Sequence, residues 1–340
     1  MYPLIRPLLF RLDPERAHHL TLRLLRFVGA VRPLRAAVRI MYASPRAEPV
    51  EAFGLRFSNP VGLAAGYDKD GLAWRGLASL GFGHLEIGTV TLRPQDGNLR
   101  PRLFRLPEHE ALINRLGFPG RGGEAVRRSL AGERPAGLVL GVNIGLNKDT
   151  PLDQAAGDYL RLLELFAPLA DYLVINVSSP NTVGLRRLQA RRALEGLLRE
   201  LVDGRNGLGA EAGGRTPLLV KLSPDLSDAD LSDAVEVALE QGLDGVVATN
   251  TTIGREGLTA ALAHEVGGLS GAPLRRRSTA VVAEISRLAG GRLPIIAVGG
   301  VSDAASAREK LEAGASLVQI YTGLIYQGPG VVKQIIESTG

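Results

Sequence analysis

The sequence predicts a (β/α)8 barrel, and three observations predict it. Eight short runs are rich in Val, Ile and Leu with little alternation, as strands buried on both faces should be. Helical stretches separate these runs in regular β-then-α order, the pattern of a parallel sheet with helices outside. The rival, an open doubly wound sheet, has no G-x-G-x-x-G opening a helix to support it. A length of 340 residues suits one barrel with an appendage.

The first element is an extension, residues 1–45, read as two short amphipathic helices. Asp13-Pro14-Glu15 supplies an N-cap and a proline at the first helical position. Ala17, Leu20, Leu24 and Phe27 then recur at helical spacing, and Leu34, Val38 and Met41 mark the second helix. Pro45 to Pro49 reads as a linker. A small strand pair, Val50–Ala52 and Leu55–Phe57 with Phe53-Gly54 as its turn, is placed to plug the barrel floor.

The barrel, residues 46–340, follows in eight steps. Val61–Ala65 precedes a helix over Leu72–Leu80, and His84–Val90 precedes Gly123–Ala131. Leu138–Ile144 leads to Leu152–Ala167, and Tyr172–Val177 to Arg187–Val202. Leu218–Leu222 leads to Asp228–Glu240, and Gly245–Thr249 to Leu274–Leu288. Ile295–Val298 leads to Ala304–Ala313, and Leu317–Tyr321 to a terminal helix from Val331.

Charge separates the two parts. Residues 1–46 carry nine arginines against Asp13 and Glu15, a net +7, whereas the whole chain is +5, leaving −2 for the rest. Basic residues mixed throughout with Leu, Ile and Phe suit an anionic membrane surface better than nucleic acid. No run of about 18 uncharged apolar residues predicts a spanning helix, and the N-terminus lacks a signal-peptide core. There is no cysteine, which excludes disulfides, thiolate metal sites and a cysteine base. His18, His19, His84, His109 and His264 have no metal-ligand spacing, so no metal site is expected. Asp225 and Asp228 read as a loop residue and a helix cap.

In a barrel the chemistry lies at the C-terminal strand ends. Four of the nine asparagines, Asn143, Asn176, Asn181 and Asn250, fall there. A carboxamide both donates and accepts, so several converging on one point suit a flat ligand with amide edges. Lysine is rare, five against 35 arginines, yet Lys69, Lys148 and Lys221 sit beside strand ends. Lys221 is predicted to face inward or at the rim, where a compact cation can hold a developing anion. Gly299, Gly300 and Gly323, with Gly267, Gly268 and Gly271 upstream, suit a phosphate cradle after strands seven and eight.

The strings NPVGLAAGYDKDG, EIGTVT, RPRLFRL, INRLGF, INVSSPNT, VKLSPDLS, ATNTT, GGLSG, PIIAVGG and GASLVQIYTG, with LDPERAH near the start, resemble dihydroorotate dehydrogenases over nearly the whole chain. The N-terminal helices, and a serine at the base position, resemble the quinone-dependent class. The resemblance implies oxidation of dihydroorotate to orotate by FMN, with a membrane quinone as final acceptor, in pyrimidine biosynthesis. It implies that Ser179 takes the C5 proton as hydride leaves C6 for the flavin. Lys69 would meet the substrate carboxylate. Asn114, Arg115, Leu116, Gly117 and Phe118 would cover the substrate, and Asn176, Asn181, Asn250 and Thr251 would contact it.

For FMN the resemblance implies contacts from Ala65, Gly66, Tyr67, Asp68 and Lys69. Further contacts would come from Thr89, Asn143, Asn176, Lys221 and Thr249, and from Gly271, Gly300, Tyr321 and Thr322. Lys221 would stand near the N1/O2 edge of the flavin. The extension would rest peripherally on the cytoplasmic face of a bacterial inner membrane, a quinone entering between its helices. The protein would be a monomer with no nucleic-acid partner. Three positions depart from the family pattern: Tyr67 replaces Leu or Phe, Leu146 replaces a lysine, and Pro119-Gly120 follows INRLGF where an asparagine is common. A soluble enzyme using fumarate or NAD fits less well, because the fumarate class uses a cysteine base. An inert flavin-binding or membrane-scaffold protein is the other alternative.

Overall fold

The structure, a computed structural model, describes residues 2–212, 215–258 and 264–339. Thirteen strands are found among these residues. They are β1 (Val50–Ala52), β2 (Leu55–Phe57), β3 (Val61–Leu63), β4 (His84–Val90), β5 (Leu103–Leu106), β6 (Ala111–Asn114), β7 (Val139–Ile144), β8 (Tyr172–Asn176), β9 (Leu218–Leu222), β10 (Gly245–Ala248), β11 (Gly268–Gly271), β12 (Ile295–Val298) and β13 (Leu317–Ile320). Eight close a parallel barrel in the order β3-β4-β7-β8-β9-β10-β12-β13, with β13 pairing back to β3. The predicted barrel is therefore present, each strand matching its predicted run to within two residues.

Strand geometry explains why so few of these runs alternate in polarity. Successive side chains point to opposite faces, and both faces are buried and mainly apolar. Leu140, Val142, Leu173, Ile175 and Val220 pack outward with the helices in the large core. Val139, Tyr172, Val174, Leu219, Val247 and Leu317 form the smaller inner core. The antiparallel hairpin of β1 and β2 adds Ala52 and Phe57 to that inner core. The Phe53 and Phe57 rings meet Tyr172 and His84 edge-on or tilted, at 6.4 and 5.4 Å. The hairpin is thus the predicted floor plug.

Three features differ from expectation. The extension contains three helices rather than two: α1 (Tyr2–Arg11), α2 (Pro14–Ala30) and α3 (Arg32–Tyr42). Prolines 3 and 7 hide α1 from a propensity reading. Tertiary contacts hold it: Arg6 donates to the Tyr326 carbonyl at 3.0 Å, and Arg105 donates to the Leu9 carbonyl at 3.1 Å. At α2 the predicted cap is present, Asp13 Oδ1 accepting from the N–H groups of Glu15 and Arg16 at 3.1 and 3.0 Å.

The second difference is an antiparallel sheet, β5-β6-β11, built from the long connections after β4 and β10. Leu106, Ala111, Ile113 and Leu269 give it a small core of its own. The third is the cap of the helix Asp228–Glu240, which is Ser227 and not Asp228. Asp225 instead pairs with Arg186 at 2.8 Å and accepts from the Ile253 N–H.

Candidate active site

The barrel strands deliver their polar residues to one pocket at their C-terminal ends. Its lining includes Lys69, Asn114, Leu116, Gly117, Phe118, Asn176, Ser179, Asn181, Lys221, Asn250 and Thr251. Ala65, Gly66, Thr89, Thr249, Gly271, Gly300, Tyr321 and Thr322 complete the residues expected there. Arg115 points away, pairing with Glu265 at 2.7 Å and stacking on Phe104. Asp68 also turns aside: its buried carboxylate accepts from the N–H groups of Leu72 and Ala73 at 2.9 and 2.7 Å, and burial raises its pKa to about 6.

The carboxamides form a directed chain. Asn143 lies one layer behind the lining, fully buried, and its Oδ1 accepts from Thr89 Oγ1 at 2.6 Å and Asn176 Nδ2 at 3.1 Å. Asn176 Oδ1 in turn accepts from Asn250 Nδ2 at 3.3 Å and Ser178 Oγ at 3.0 Å. Asn181 Nδ2 donates to Asn114 Oδ1 at 3.1 Å, tying the loop after β8 to the end of β6. Ser179 is buried, and its Oγ accepts from the Asn181 N–H at 3.2 Å. Among the described residues it has no carboxylate or imidazole partner.

Two lysines frame this chain. Lys69 Nζ donates to the Gly66 carbonyl at 2.8 Å, and burial lowers its pKa to about 8. Lys221 is 5% exposed and lines the pocket, which agrees with the inward or rim position expected of it. The covering turn is conformationally demanding, with Gly117 at φ +69° and Phe118 at φ +51°. A left-handed backbone is rare for an aromatic residue and persists where its surroundings fix it.

Part of the pocket wall is glycine backbone. A Cβ on Gly300 would come within 2.4 Å of the Arg275 Cα, and one on Gly323 within 2.4 Å of the Val301 carbonyl oxygen. Neither position can carry a side chain, so each offers only backbone to the pocket, as the glycines of an anion cradle do.

A second cavity, of about 310 Å³, lies between the extension and the barrel. Ile5, Leu9, Phe10, Leu24, Leu25 and Val28 line one side, and Leu112, Leu324 and Ile325 the other. Tyr67 is found here and not in the polar pocket, whereas Tyr321 lines both. His18 also lines it, its imidazole kept neutral by burial with a pKa of about 3. The other departures have simple places. Leu146 is a buried core residue, and Gly120 bridges to Gln95 at the edge of the covering turn.

Fold and site together define a barrel with a pocket of carboxamides, hydroxyls, lysines and glycine backbone at its mouth and a separate apolar chamber under the extension. Comparison with known proteins is more specific. Residues 49–339 match the family model described as dihydroorotate dehydrogenase. A relative from Anaeromyxobacter sp. (strain K), named dihydroorotate dehydrogenase (quinone), is 54% identical over 98% of this chain and 91% of its own. One of the same name from Azotobacter vinelandii is 50% identical over 99% of this chain and 96% of its own. Among solved structures, ligand-free DHODH from Eimeria tenella superposes with a TM-score of 0.87 at 40% identity, covering 96% of this chain and 94% of that one. The same Eimeria protein in complex with ferulenol gives 0.86 at 38% identity, covering 96% and 90%. The chain belongs to the dihydroorotate dehydrogenase family, and it is an oxidoreductase.

Sequence reasoning missed Glu86 and Gln319. Both are buried, Gln319 in the pocket wall and Glu86 beneath it, and both interrupt runs of apolar residues within their strands. That interruption is the signal that could have found them.

Proposed function

We propose that this chain oxidises dihydroorotate to orotate at the barrel mouth, with FMN bound there, and passes the electrons to a quinone in the apolar chamber. The reaction belongs to pyrimidine biosynthesis. The observation that carries the reading is the convergence of Ser179, Lys69 and the carboxamides of Asn114, Asn176, Asn181 and Asn250 on one pocket.

The residues fit FMN. Gly271, Gly300 and Gly323 can offer only backbone to the pocket, which suits a phosphate held by main-chain N–H groups. Thr89, Asn176 and Lys221 would hold the amide edge of the ring system, with Asn143 behind them, and Ala65, Gly66, Thr249, Tyr321 and Thr322 would flank it. Bound FMN supplies an acceptor for the hydride that leaves C6 of the substrate.

The chain's own residues supply the rest. Lys69 meets the substrate carboxylate as a cation, and Asn114, Asn181, Asn250 and Thr251 orient the ring through its amide groups. Leu116 to Phe118 close over it and exclude water. Ser179 Oγ takes the C5 proton, and because a serine hydroxyl is a weak base it must hand that proton on through a relay.

The extension supports a peripheral membrane role. Leu4, Leu8, Leu24, Phe27 and Ile40 are 59–82% exposed there, among the arginines of the same helices. No helix among the described residues is long and apolar enough to cross a membrane. The reading is a monomer lying on the cytoplasmic face of a bacterial inner membrane, its apolar side chains and arginines meeting anionic lipid.

Anaerobic mixing with dihydroorotate, followed by a quinone analogue, tests the whole reading. Flavin absorbance should bleach and then recover. A protein without flavin, or a flavin that dihydroorotate does not bleach, overturns it.

A further inference from the structure

Beneath the pocket lies a carboxylate with no part in the steps above. Glu86, on β4, is 1% exposed and does not line the pocket. Its Oε1 accepts from Asn143 Nδ2 at 2.8 Å and stands 3.7 Å from Lys221 Nζ. Its Oε2 accepts from Gln319 Nε2 at 2.7 Å. Strands β7, β9 and β13 therefore each aim one polar side chain at it. From β8 the Tyr172 phenol faces the group, its pKa raised by burial and by the Glu86 charge. Towards the floor His84 is neutral, its pKa lowered to about 3 by burial. Among the described residues, Lys221 is the only cation paired with Glu86, and Glu86 the only anion paired with Lys221.

A buried carboxylate is costly unless paired and hydrogen-bonded, and this one is both. As the carboxylate partner of Lys221 it accepts hydrogen bonds and does not donate them. Asn143 must therefore turn its NH2 towards Glu86, which leaves its Oδ1 for Thr89 and Asn176. Asn176 must then spend its NH2 on that pair and turn its Oδ1 to Asn250 and Ser178. Asn250 spends its NH2 in turn, and its Oδ1 accepts from the Thr251 N–H at 2.8 Å. One acceptor-only group at the base thus fixes the donor and acceptor sense of three carboxamides up to the ligand side.

We propose that Glu86 is a positioning residue that sets the polarity of this site, anchoring Lys221 as half of an ion pair and fixing the direction of the Asn143–Asn176–Asn250 chain. The inference rests on the FMN reading, since the groups it orients are those assigned to the flavin and substrate. A glutamine at this position has nearly the same shape but is neutral and can donate. Lys221 then loses its counter-charge, and the carboxamide chain loses its fixed direction.

The test uses the full-length flavoprotein, with two variants at this position. In Glu86→Gln the pocket is more positive, so the two-electron equilibrium of the flavin should shift at least tenfold towards the reduced form, about 30 mV. Orotate affinity, read from the flavin spectrum, should weaken at least tenfold. Glu86→Asp keeps the charge and the acceptor-only character but is one methylene short. It should lie closer to wild type than Glu86→Gln in flavin retention, potential and orotate affinity. A packing role gives the reverse order, because glutamine fills the space and aspartate does not. The order therefore decides even if Glu86→Gln loses its flavin. A Gln variant within twofold of wild type in both readouts, or an Asp variant worse than Gln, overturns this inference alone. Wild-type protein that takes up no flavin overturns the underlying reading, and this inference with it.

Discussion

The two cavities share the Tyr321 side chain yet differ in almost every other respect. The mouth pocket carries amides, hydroxyls, two lysines and glycine backbone, and its asparagines hold one another. The chamber beneath the extension is walled chiefly by leucine, isoleucine and aromatic side chains, with His18 neutral among them. A ligand that carries charge and amide edges suits the first and would be stripped of its partners in the second. An apolar ligand suits the second and would strand the hydrogen-bonding groups of the first. The two half-reactions can therefore be broken separately, and the variants below should do so.

The largest separation is expected from Ser179→Ala. Losing a positioned base typically lowers a proton-transfer step by about 10²–10⁴-fold. Bleaching by dihydroorotate should fall by that order, whereas flavin reduced by dithionite should still be reoxidised by quinone at the wild-type rate. Stopped-flow measurement of both halves checks this, and near-full bleaching in the variant would remove Ser179 as the base. Deleting residues 1–45 should do the opposite. The truncated protein loses one wall of the chamber, and forfeiting about 3 kcal/mol of apolar contact, roughly one or two buried aliphatic side chains, corresponds to about 100-fold. Quinone reduction should collapse while FMN stays bound and dihydroorotate still bleaches it. Unchanged quinone kinetics would separate the chamber from function.

This division was only partly legible in the sequence. The eight barrel strands were readable because both faces are buried, so each appears as a compact Val, Ile and Leu run. Asn143, Asn176 and Asn250 were readable as a set because the strand count brings distant positions to one rim. Strands β5 and β6 were not read as strands. They are four residues each, and β6 takes its other partner from β11, more than 150 residues away. Helix α1 was hidden by its prolines and depends on Arg6 and Arg105 for its place. The orientation of the amides was also beyond the sequence, since it follows from one acceptor-only carboxylate that only the folded barrel brings to their base.

A smaller effect concerns the mouth alone. Lys69 titrates near pH 8 because burial disfavours its charge. The cation is present below that pH and lost above it. If an anionic substrate binds only the cationic form, the apparent KM for dihydroorotate should be flat below about pH 8 and rise about tenfold per unit above it. Substrate binding itself raises the proton affinity of Lys69, so kcat should stay flat to higher pH than kcat/KM. A quinone KM measured over the same range should not follow this curve. A dihydroorotate KM that stays flat to pH 10 would remove Lys69 from the carboxylate.

The smallest effect should come from the boundary. Tyr67 packs edge-on against Tyr321, ring centroids 5.7 Å apart, and against His18 at 5.1 Å. Its hydroxyl faces Thr21 of α2, and both residues line the chamber, so this phenol ties the extension to the loop after β3. Tyr67→Phe keeps the ring and removes that tie. A polar contact between partly buried neutral groups is worth at most the about 0.5–1.5 kcal/mol of a full hydrogen bond, so the quinone KM should rise by no more than roughly 2- to 10-fold. The Thr21→Val variant should reproduce the change, and the double variant should add little, because both remove the same polar contact. Dihydroorotate bleaching should stay within twofold in all three. If Tyr67→Phe instead slowed bleaching and left quinone kinetics alone, the ring would belong to the mouth, and the line between the two cavities would have to be redrawn on its other side.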